Sequence, residues 1–158
     1  MAFQDKWKQY KERQEAKKYF RSHNDQFLDS SEWIKTIGGG VLVAIATGIV
    51  LALVISTLHI TSSLFYLISA YIIATAVTRI SQIHSQQIAI ISVVLTFLGY
   101  VVSEITMSYL VLSQLGIDIG IAAVFQFIIP SIKSLFVGDL FTTIVAVIGL
   151  FIAYEISK

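Results

Sequence analysis

With 56% hydrophobic and 13% charged residues over 158 positions, and a mean hydropathy of +0.78, the chain is too apolar for a water-soluble domain, whose surface must stay wet. A bilayer crossing takes about 20 apolar residues, so the apolar part supplies about four helices and leaves no room for a large extramembrane domain. The net charge of +1 conceals an asymmetry, since lysine and arginine crowd before the first apolar run and only Arg79, Lys133 and Lys158 follow it; the absence of cysteine excludes disulfides, thiolate metal sites and thiol catalysis.

Residues 1–29 read as a basic, amphipathic cytoplasmic tail. Phe3, Trp7 and Tyr10 recur at helical spacing among lysines and arginines, which fits either a helix lying on an anionic leaflet or a solvated helix with a few aromatics. Asp5, Glu12, Glu15, Asp25, Asp29 and Glu32 dilute the basic charge, so nucleic acid is not expected as a partner. Asp29 and Glu32 have capping-box spacing, which starts the first membrane helix near Ser30. The apolar run behind them shows no small-residue cleavage pattern and reads as a retained span, not a signal peptide.

Residues 30–158 are expected to form one all-α transmembrane bundle with spans at about 36–58, 64–80, 88–112 and 138–156. Trp33 and Lys35 suit the headgroup zone before the first span. A short connection at 59–63 leads to the second span, which ends at Arg79; the polar turn at 81–87 contains His84, and Gly116, Asp118 and Gly120 punctuate the end of the third. Residues 121–137 differ. Ile121, Val124, Phe125, Ile128, Ile132, Leu135 and Phe136 form an apolar stripe, but Gln126, Lys133 and Ser134 interrupt it and Pro130 removes a backbone donor, so the stretch reads as an interfacial or re-entrant helix. A full span there would leave only Gly138 and Asp139 for a turn outside the bilayer.

Lysine and arginine resist translocation, which orients the protein in a plasma (inner) membrane with both termini cytoplasmic. A five-span arrangement with an external C-terminus is the competing topology.

Two constellations are candidates for function. Small residues recur on single helix faces at Gly40, Ala44, Gly48 and Ala52, at Ala70 and Ala74, and at Gly138, Thr142 and Ala146. Such ridges let helix backbones approach closely, either within the bundle or between chains. Glu104 is the one acidic residue in the middle of an apolar run, where a charge costs about 3 kcal/mol without a partner or water. Tyr100 and Ser108 flank it at four-residue spacing, and Lys133 and Asp139 are expected at similar depth. Glu104 then either binds a proton or ion, or pairs with Lys133 near the interface.

No enzyme is expected. HExxH and Gly-x-Ser-x-Gly are absent, and Gly38-Gly39-Gly40 lacks the Lys-Ser/Thr that would hold a phosphate. His23, His59 and His84 fall in the tail and in loops on opposite sides, so neither a metal nor another cofactor is expected. The glycine-rich first span with Gly40 and Gly48, the second span with Tyr66 and Tyr71 ending near Arg79, and the polar turn into the third together resemble small bacterial membrane proteins over about 37–112; the resemblance lends no activity. The leading expectation is a non-enzymatic oligomeric or accessory membrane subunit, its partners being the lipid bilayer and either further copies of itself or a larger membrane complex. The alternative is a small channel or proton-coupled transporter using Glu104, gated by the Pro130 segment.

Overall fold

Every regular element is helical in the computed structural model, which describes residues 2–23, 30–58, 63–117 and 120–158. Helix α1 covers Ala2–His23, α2 Ser30–Leu58, α3 Leu64–Ser81 and α4 Gln86–Gln114. The stretch once read as one interfacial helix is a composite: α5 (Ile121–Val124), a 3-10 turn (Phe125–Phe127), α6 (Ile128–Lys133) and a π turn (Ser134–Gly138), followed by α7, Leu140–Ser157. Asp29, His59 and Asp118, and the side chains of Phe3 and His23, lie outside the described residues.

Local chemistry sets the helix ends. Ser85, in extended conformation, caps α4 by accepting from the Ile88 N–H at 3.3 Å, and Asp139 caps α7 by accepting from the N–H groups of Phe141 and Thr142 at 3.3 and 3.4 Å. Gln82 adopts the left-handed conformation at φ 56° and its N–H closes α3 on the Thr78 carbonyl. Gly116, at φ 74°, takes the same left-handed role beyond α4, where a Cβ would be strained.

Side-chain pairs fix the chain directions. A Cβ on Gly40 would meet Leu95 and one on Gly48 would meet the Gly99 carbonyl and Val102, so α2 and α4 run parallel. Tyr66 reaches Glu104, and Ile73 lies against Gly99, so α3 opposes α4. Helix α7 follows α3 in the same direction at a constant offset of 79 residues, bonded through Ser63–Thr142 at one end and Thr78–Ser157 at the other. It opposes α4, as Ser157–Ser92 and Gly149–Tyr100 require. The near end of the bundle thus holds the start of α2, the 82–85 turn and the end of α7; the far end holds the end of α2, the start of α3, the end of α4 and the start of α7.

Among the described residues five stretches are, by length and composition, apolar enough to cross a membrane, one more than the four expected, the extra one being Ile121–Gly138. Its path differs from the others. Because α4 ends and α7 begins at the far end, the composite Ile121–Gly138 lies between two helix ends on the same side of the bundle. Only Ser131 and Leu135 are buried in the composite, whose Phe136 ring stacks on Phe97 with centroids 6.1 Å apart. Pro130 accounts for the mixed winding: without its N–H the Gln126 carbonyl has no i+4 donor, and the preceding turn tightens to 3-10.

Small residues fill the helix contacts of the core beside a few large ones such as Tyr100 and Ile73, and many large aliphatic residues face outward. Ala44, Ala52, Ala70, Ala74, Ala146 and Ala153 are buried, while Leu42, Val50, Ile68, Val94, Val147 and Phe151 are exposed. Lipid is as apolar as leucine and gives no hydrophobic gain for burying it, so close backbone approach and packing favour small side chains inside. In water the exposed aliphatic surface would be an aggregation hazard; in a bilayer it meets acyl chains.

Candidate functional site

Glu104 sits on α4 at the far end, half-buried, where the start of α3 crosses it. The Tyr66 hydroxyl donates to its Oε1. Tyr66 is held by Tyr100, whose ring meets it edge-on at 4.9 Å and whose hydroxyl donates to the Tyr66 carbonyl at 3.0 Å. Ser69 donates to the same carbonyl at 2.9 Å. Gly149 completes the support, because a side chain there would collide with the Tyr100 hydroxyl. The carboxylate is therefore positioned by a tyrosine that a second tyrosine and a glycine on α7 keep in place.

A cleft of about 330 Å³ opens beside this pair. Glu104 and Asp139 bring carboxylates to it, Ser63, Tyr66, Ser134 and Thr142 bring hydroxyls, and Ile55 and Met107 form apolar wall. Its hydroxyls are linked: Ser63 and Thr142 lie 3.1 Å apart, and Thr142 donates to Asp139 at 3.1 Å. Asp139 is committed to capping α7 as well, whereas Tyr66 fills one of the several acceptor positions that the Glu104 carboxylate offers. The π turn is tied in by the Thr143 hydroxyl, which donates to the Leu135 carbonyl at 2.9 Å.

The residues expected around Glu104 divide. Asp139 shares its cleft. Tyr100 acts one step removed, through Tyr66, and Ser108 donates at 3.0 Å to the Glu104 main-chain carbonyl, the usual i−4 back-bond of a helical serine, instead of touching the carboxylate. Lys133 is exposed and does not line the cleft. Tyr66 is the residue that reading the spans one at a time missed as a partner. The signal was present: Tyr66 and Glu104 lie nearly equidistant from the 82–85 turn, and folding the chain there as an antiparallel hairpin sets them opposite each other.

The small-residue ridges turn inward. Gly40, Ala44, Gly48 and Ala52 are all buried within the single chain, as are Ala70, Ala74 and Ala146; Thr142 is half-buried in the cleft, and Gly138 alone of the set is exposed. At the near end the same three helices, α3, α4 and α7, are joined by a buried hydroxyl knot in which Thr78 donates to Ser157 at 3.2 Å and Ser157 to Ser92 at 2.6 Å. Between knot and cleft, on the inward face of α4, Thr96 and Ser103 are buried hydroxyls without a hydrogen-bond partner among the described residues. No family model, curated protein or solved structure matches the chain, so the site is defined by its own geometry: a tyrosine-held carboxylate in a polar cleft at one end of a membrane-type helical bundle.

Proposed function

We propose that this is a non-enzymatic multi-pass protein of the plasma membrane that takes up a proton or a small cation at Glu104, in the manner of a small proton-coupled transporter. The observation that carries this reading is the Tyr66–Glu104 hydrogen bond inside the far-end cleft. A carboxylate at membrane depth costs about 3 kcal/mol. A hydrogen bond to a charged group returns about 1.5–3 kcal/mol, so Tyr66 offsets much of the cost of an ionised Glu104 there, and taking up a proton or pairing with a cation would remove the remainder. The inward hydroxyls Thr96, Ser103 and Ser92 on α4 lend further support, as they extend polar character from the cleft toward the near end.

Counting lysine and arginine orients the bundle. Lys35, Arg79 and Lys158 belong to the near end and only Lys133 to the far end, so the near end, and with it both termini, is cytoplasmic and the cleft opens outward. The small-residue face of α2, at Gly40, Ala44, Gly48 and Ala52, is occupied by the chain's own helices.

The test is proton entry into proteoliposomes carrying a trapped pH dye, driven by a potassium diffusion potential, with infrared detection of a carboxyl band that titrates with outside pH. Glu104→Gln should remove the band and lower the flux at least tenfold, about 1.4 kcal/mol or more in barrier. Equal flux and an unchanged band in the variant would overturn the reading.

A further inference from the structure

Over its described side chains, residues 4–16, helix α1 is sided in charge. At about 100° per residue, Trp7, Tyr10 and Gln14 fall on one face. Lys6 and Arg13 border that face on one flank and Lys11 on the other, while Asp5, Glu12 and Glu15 lie on the opposite face together with Lys8. Two contacts bear out the grouping: the Lys11 ammonium sits over the Trp7 ring, 5.7 Å from its centroid, and Gln14 donates to the Tyr10 hydroxyl at 2.9 Å. Both rings are open to the surroundings, Trp7 at 56% and Tyr10 at 60% exposure.

We propose that α1 lies along the anionic cytoplasmic leaflet, with Trp7 and Tyr10 at headgroup level, Lys6, Lys11 and Arg13 reaching lipid phosphates on either side of them, and Asp5, Glu12 and Glu15 turned to water. The chemistry of the face selects lipid. Trp and Tyr combine an apolar body with a polar tip, which suits the headgroup boundary. The basic flanks complement a negative surface, and the acids are segregated where they do not oppose it. The tether adds to this: residues 24–29, at no more than about 3.5 Å each, join α1 to α2, the first apolar helix, and so hold it close to the bilayer surface. The proposal is independent of the cleft and of any activity at Glu104.

The experiment uses the full-length protein with Trp33→Phe, which leaves Trp7 as the sole tryptophan, reconstituted in nanodiscs of phosphatidylcholine with or without phosphatidylglycerol. In the anionic discs Trp7 should be shielded from acrylamide and quenched by lipid brominated near the headgroup; in pure phosphatidylcholine, or at high salt, it should be released. Lys6→Gln should lower the ratio of docked to free helix about fivefold, whereas Lys8→Gln, on the acidic face, should leave it within about twofold. Exposure of Trp7 in anionic discs, equal shielding in both lipids, or equal effects of Lys6→Gln and Lys8→Gln would each overturn the proposal.

Discussion

The two ends of the α3–α4–α7 junction use polar groups in opposite ways. At the near end Thr78, Ser157 and Ser92 are small; Ser157 links the other two, Thr78 also bonding the Ala74 carbonyl of its own helix, and the three helices pack closely around them. At the far end Tyr66, Tyr100 and Glu104 are large; they satisfy one another too, but their bulk and the single-residue joint at Asp139 hold the helices apart, and a polar cleft results. Hydrogen bonding alone therefore does not decide whether a polar cluster becomes a seal or a site. Side-chain volume decides it, because packed interiors tolerate no gap they can fill.

The sharpest way to break the contrast is at Gly149, where α7 passes the Tyr100 hydroxyl. Gly149→Val should destabilise the bundle by about 3 kcal/mol through overpacking, seen as a lower unfolding temperature in detergent, whereas Gly138→Ala at the cleft, with only ordinary contact to Ser134, should stay within about 0.5 kcal/mol. Next comes the seal itself. Ser157→Ala leaves the buried Ser92 short of a partner, Thr78 keeping its bond to the Ala74 carbonyl, and should cost about 2 kcal/mol, while Ser63→Ala at the half-exposed cleft, where Thr142 keeps its bond to Asp139, should cost under about 1 kcal/mol. The smallest of the three effects is local: Asp139→Ala removes the α7 cap, about 1 kcal/mol, and should speed amide exchange at Phe141 and Thr142 without changing exchange near Ser157.

Much of the architecture was legible along the chain because it depends on local quantities. Hydropathy located the apolar helices, and the interruptions at Gln126, Pro130 and Lys133 fall where the winding of 121–137 departs from a continuous α-helix. The site was half legible. Glu104 stood out because a lone carboxylate in an apolar run is costly, yet its flanking Tyr100 and Ser108 do not reach the carboxyl oxygens, since residues four apart on a helix stack along the axis and a short side chain finds its own backbone first.

Composition and periodicity by themselves determined that this chain is a helical membrane protein, which of its residues form the helices, and that one acidic residue lies deep among them. Tertiary structure alone decided that Tyr66 holds Glu104, that Ser92 meets Ser157, and that Ile121–Gly138 lies between two helix ends on one side of the bundle. The reason is physical: the transfer of a segment into lipid is additive along the sequence, whereas contacts between helices depend on their relative rotation and depth, which only the packing of all of them together fixes.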